Sequence, residues 1–138
     1  MSGTDLSLLL RQSLVVALRA DTGLEAIVGA RVYGENAPAS PQWPFIRVEI
    51  VTTEPYEATC YDGSASRVNI HAFAAGPSTD AIGALRKAIV DALKADVAVT
   101  GASMLSLDWR NTNTIPDGDS TAGWHAIIAY DARVVVKE

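Results

Sequence analysis

The stretch Trp124-His125-Ala126-Ile127-Ile128-Ala129-Tyr130-Asp131-Ala132-Arg133-Val134-Val135-Val136 decides the fold. Trp124, Ala126, Ile128, Tyr130, Ala132, Val134 and Val136 fall on one side of an extended chain, with His125, Asp131 and Arg133 on the other. A period of two marks a β-strand with one face against a core. Pro116-Asp117-Gly118-Asp119-Ser120 lies just before it and supplies turn chemistry. On the far side of that turn Leu105, Leu107 and Trp109 alternate with Ser106, Asp108 and Arg110, predicting a partner strand that turns those three residues inward.

Two further strands lie upstream. Phe45 to Thr53 places Ile46, Val48 and Ile50 opposite Arg47 and Glu49. Arg67 to Ala74 places Val68, Ile70 and Ala72 inward and Arg67, Asn69 and His71 outward. The intervening Glu54 to Ser66, with Pro55, Gly63 and many polar residues, reads as an irregular arm between two antiparallel neighbours.

Helices frame these strands. Gly76-Pro77-Ser78 closes a strand and opens a helix whose N-cap is expected at Ser78, with Asp80 near the positive end of the dipole. Ile82, Leu85, Ile89 and Leu93 recur on one face of it, while Arg86, Lys87, Asp91 and Lys94 take the other. A first helix is predicted over about Asp5 to Ala20, with Leu6, Leu10, Leu14 and Leu18 in register. Leu8, Leu9, Val15 and Val16 widen its apolar stripe. Gly23 is expected to end this helical region, with Leu24 to Val28 adding a short turn. From Val32 to Pro44 the prolines 38, 41 and 44 predict an extended loop, long enough to suggest a contact role. The expected fold class is α+β: a mostly antiparallel sheet of about four strands, with the N-terminal and central helices packed on one face. All of 1–138 is expected to form one domain.

Charge and chemistry narrow the function. The net charge of −5 argues against a surface built to grip phosphates. No apolar run is long enough to span a membrane, and Asp5 and Arg11 interrupt what a signal peptide would need. Cys60 is the only cysteine, so neither an internal disulfide nor a thiolate cluster is available, which suits a reducing cytoplasm. A cysteine nucleophile would need His71 or His125 as base, and nothing around Cys60 marks such a site. The two histidines, on separate strands, do not make a metal site by spacing. Asp117 to Ile128 lacks the glycine and glutamate of a calcium loop. Nothing in the spacing of Glu49, Glu54, Glu57 and Asp108 builds an acid–base pair. No catalytic residue, metal ligand or cofactor is expected.

The order of features also resembles a known family. Ile27-Val28-Gly29-Ala30-Arg31-Val32-Tyr33, a Pro-rich loop and Trp43-Pro44-Phe45-Ile46-Arg47-Val48 come first. Val68-Asn69-Ile70-His71-Ala72-Phe73, a glycine, the Asp80–Leu93 helix and a final run from Gly123-Trp124 to Val136 follow. This is similar to the tail-completion (tail-terminator) family of long-tailed, siphovirus-type phages, prophages and gene transfer agents. The resemblance implies a structural virion protein rather than an enzyme, assembled in the bacterial host cytoplasm. It implies a homo-hexameric ring on the head-proximal end of the tail tube, touching the major tail tube protein and a head-completion (stopper) protein. DNA would pass through the ring without specific binding. Interface candidates are Trp43 and Phe45 in the loop, Glu54, Tyr56 and Glu57 in the arm, and Asp117 and Asp119 at the turn; the chain departs from the family in lacking the Trp expected after the first strand, for which Tyr56 is the substitute. The alternative is a monomeric or dimeric adaptor domain acting through its long loops.

Overall fold

The computed structural model describes residues 3–58, 60–117 and 123–136. Helices α1 (Ser7–Ala20) and α2 (Thr22–Val28) lead into strands β1 (Val32–Tyr33), β2 (Phe45–Ala58) and β3 (Tyr61–Ala75). Helix α3 (Asp80–Ala92) and strands β4 (Ala102–Pro116) and β5 (Gly123–Val136) complete the chain. The strands form one sheet in the order β1-β2-β3-β5-β4, antiparallel except for β1 beside β2. The fold is α+β as expected, with five strands in place of about four.

The core lies between the helices and one face of the sheet. Leu10, Leu14 and Leu18 of α1, Leu24 and Val28 of α2, and Ile82, Leu85 and Ile89 of α3 are all buried. They meet Ile46, Val48, Val68, Ile70, Ala72, Ala126, Ile128 and Tyr130 from the sheet in a single cluster. Each large side chain of α3 so buried contributes about 1.5–3 kcal/mol.

The helical break falls at Asp21, not Gly23. The Asp21 carboxylate accepts from the Leu24 backbone N–H at 3.0 Å and caps α2, so Gly23 sits inside that helix. At α3 the N-cap position is Thr79 rather than Ser78, without a side-chain bond of its own; the Ser78 hydroxyl accepts from Asp80 N–H at 3.3 Å.

The additional strand explains the proline-rich loop. β1 runs parallel to β2, with Val32 opposite Ile46, and parallel neighbours require the chain to travel back to the starting end. Residues 34–44 make that return, which accounts for much of their length. Arg31 donates to the Pro44 carbonyl at 2.8 Å and Arg11 pairs with Glu35 at 2.9 Å, fixing both ends of the crossover.

The Glu54–Ser66 segment is not an irregular arm. β2 and β3 stay in register as a long hairpin, with Glu54 opposite Ala65, Tyr56 opposite Gly63 and Ala58 opposite Tyr61. The N-terminal segment laces onto it: Thr4 N–H donates to the Gly63 carbonyl, Leu6 N–H to the Ser64 hydroxyl, and the Thr4 hydroxyl to Asp62. Gly63 is required where β3 lies against β5, because a methyl group there would run into the Val134 carbonyl.

The predicted faces of β4 also change. Bulges between Met104 and Ser106 and between Trp109 and Asn111 shift its register on β5. Met104 and Leu107 pack on the core, while Leu105 and Trp109, expected inward, are exposed. At the end of β5, Val135 is buried and Val136 exposed, reversing the expected parity there. The predicted turn at Pro116–Ser120 falls largely outside the described residues.

Candidate functional site

The sheet face turned away from the helices is built by the alternate residues of the central strands. Register places Phe45 opposite Phe73 and Phe73 opposite His125, so their side chains line up across β2, β3 and β5. Tyr33 on β1 begins the row at 6.2 Å from Phe45; Phe45 stacks on Phe73 at 4.4 Å, and Phe73 on His125 at 4.2 Å. Trp43 closes over it edge-on, at 6.0 Å from Phe45 and 5.6 Å from Phe73. Phe45 is therefore covered, and Trp43 presents the outer surface of this cluster.

Next to the row lies a hydrogen-bonded chain of three side chains. His71 Nε2 is 2.8 Å from Glu49 Oε1, and His71 Nδ1 is 2.8 Å from His125 Nε2. A carboxylate only accepts, so His71 donates through Nε2 and, as a neutral imidazole, accepts at Nδ1 from the His125 Nε2–H. His71 points away from the core as expected, yet only 7% of it is exposed, because Glu49, His125 and the aromatic row cover it. Burial, and then the neighbouring His71, hold the His125 pKa below its ordinary value.

The cysteine lies far from these three side chains. Cys60 is exposed near the hairpin turn, and the strand between it and His71 spans roughly 35 Å at about 3.3 Å per residue. Among the described residues no group of three or more His, Cys, Asp or Glu is placed to hold a metal ion. The Glu49 carboxylate and both histidines are committed to one another, which ties three strands together.

The predicted contact residues fall at two ends of the sheet. Trp43 and Phe45 belong to the end where β5 begins, and Asp117, whose N–H donates to the Gly123 carbonyl at 2.9 Å, lies at that end too. Asp119 is outside the described residues. Glu54 and Glu57 are exposed along the far hairpin, where Tyr56 sits half-buried under the Arg133 guanidinium at 5.2 Å. The two sets do not converge.

Sequence reading missed the edges. β4 pairs only with β5, and from Val48 onward β2 pairs only with β3 among the described residues. Both sides of the sheet thus offer unpaired backbone groups, a template for another chain. Leu105, Trp109 and Ile115 are exposed on β4, Val51 at a bulge of β2, and Leu8 and Val16 on α1. The wide apolar stripe of α1 was the one visible signal. The β4 residues were hidden, since alternation alone assigned Leu105 and Trp109 to the core.

No helix among the described residues is long and apolar enough to cross a membrane. A family model described as "Tail completion protein gp17" matches residues 12–135. No curated protein matches the sequence. Among solved structures, a chain from the virion of a native gene transfer agent particle is similar at 21% identity and TM-score 0.73, over 91% of this chain and 94% of that one. The gp17 protein of bacteriophage SPP1 is similar at 17% identity and TM-score 0.60, over 92% of this chain and 89% of that one. At these identities the likeness establishes a shared fold.

Proposed function

The chain belongs to the tail completion protein gp17 family, and from that premise we propose that it is a ring-forming tail terminator. In this reading residues 1–138 act as one domain, six copies close a ring on the head-proximal end of the tail tube, and the ring stops tube growth. One face meets the major tail tube protein and the other a head-completion (stopper) protein. The chain is a structural part of the virion and carries out no reaction.

The observation that supports this best is the sheet with two different open edges, β4 on one side and, beyond the two-residue β1, β2 on the other. Pairing of one edge with the other, unlike edge is a heterologous contact, and such contacts generate rings when the rotation closes. Backbone groups along both edges suit strand addition between subunits. Charge is consistent with a passive channel: six copies at −5 each carry −30, and few cationic contacts let DNA slide. The adaptor alternative would act through long loops, of which one is a regular hairpin and the other the β1–β2 crossover.

Electron microscopy of particles carrying a labelled copy tests the proposal. Density for the label is expected as a ring where tail meets head. Label along the whole tube, at the distal tip or absent from particles overturns it.

A further inference from the structure

We propose that the basic groove between α3 and the edge strand β4 receives the acidic tip of the β2–β3 hairpin from a second copy of this chain. The inference rests on the ring reading and names the surfaces that would close it.

The groove has a volume of about 340 Å³ and is lined by the apolar Val90 and Trp109 and by the cationic Arg86, Lys87 and Lys94. Trp109 Nε1–H donates to the Thr112 hydroxyl at 2.9 Å, so the half-exposed indole is held in place. Arg86 is fixed by the Thr114 hydroxyl at 2.8 Å. Lys87 and Lys94 share one carboxylate, Asp91, at 2.6 and 3.3 Å. Three cations against one anion leave the groove at +2 in a chain whose net charge is −5.

The hairpin tip is its complement. Residues 54–62, Glu-Pro-Tyr-Glu-Ala-Thr-Cys-Tyr-Asp, hold the exposed carboxylates Glu54 and Glu57 and neither lysine nor arginine. Tyr61 is 42% exposed beside them. An aromatic ring flanked by carboxylates suits an indole beside ammonium groups, with packing supplying affinity and charge supplying steering and register. The tip is formed by β2, at one side of the sheet, and the groove by β4, at the other. One copy can therefore offer its tip to one neighbour and its groove to another.

The single native cysteine supplies the test. Cys60 is exposed near the tip, and Gly83 lines the groove where an added side chain meets nothing within 4 Å. Full-length Gly83→Cys protein, treated with a short bismaleimide, is expected to give a covalent ladder reaching the ring size. The parent chain and the Cys60→Ser/Gly83→Cys variant should stop at dimers. Light scattering is run in parallel. A closed ring without a ladder overturns the docking and leaves the ring reading standing; a chain that stays monomeric at every concentration overturns both. Charge reversal provides the second arm. Glu54→Lys with Glu57→Lys should weaken association by about tenfold, as expected for two exposed charge pairs, and Lys87→Glu with Lys94→Glu in the same chain should restore it. Failure of the restoration overturns the proposal.

Discussion

β5 and β4 lie side by side and run for 14 and 15 residues, yet they behave as different kinds of strand. β5 is paired on both sides, by β3 and by β4, and its inward residues Ala126, Ile128, Tyr130, Ala132 and Val134 are buried. β4 is paired on one side only, bulges twice and leaves Leu105, Trp109 and Ile115 exposed. Alternation in sequence records a buried face only where the pairing runs without a bulge. On an edge, one extra residue exchanges the two faces, and apolar residues there become available to another molecule.

Substitutions that treat the strands alike should therefore give unlike results. Ile128→Ala, in the middle of β5, is expected to lower unfolding free energy by about 2–5 kcal/mol, read by urea denaturation. A loss near zero would remove β5 from the core. Gly63→Ala, where β3 lies tight against Val134 and Val135 of β5, should cost about 1–3 kcal/mol by overpacking; an unchanged midpoint would mean that this contact is looser than described.

A smaller effect is expected from pH. His125 has its folded pKa held below the ordinary 6.5 by burial and by His71. The unfolded chain therefore binds a proton at a higher pH than the folded chain does, so stability is full above about pH 6.5 and falls as pH drops below it. Arg47 also lowers and Asp117 raises this pKa. Denaturation midpoints at pH 7.5 and 5.5 should differ in that direction, and His125→Gln should flatten the difference. A steeper dependence in the variant would contradict it. The smallest change in stability belongs to β4: Trp109→Ala should stay within about 0.5 kcal/mol of the parent while reducing self-association. A cost comparable to that of Ile128→Ala would make β4 a core strand and erase the contrast.

Legibility in the sequence follows the same division. The α3 stripe, the α1 stripe and the inward faces of β2, β3 and β5 were readable because burial on one side imposes a period. The polarity of Glu54 to Ser66 was misleading: hairpin pairing is made by backbone groups, and its side chains face solvent or the N-terminal segment. β1 escaped notice at two residues, too short for any period. The Glu49–His71–His125 chain could not be seen either. Parity put both histidines on the outward face, but only the β3–β5 pairing brings residues 54 positions apart to 2.8 Å.

That pairing has a kinetic consequence. β2 with β3 and β4 with β5 are local hairpins, each closed by a short connection, whereas β3 and β5 meet across an intervening helix and strand. Closing the longer loop costs more chain entropy before any contact repays it. We expect the molecule to fold as two hairpins that join along a central seam, with the histidine pair among the last contacts made. Pulse-labelled hydrogen exchange should then protect the amides bonded within each hairpin before those bonded between β3 and β5, and simultaneous protection of both sets would show that the seam forms as early as its halves.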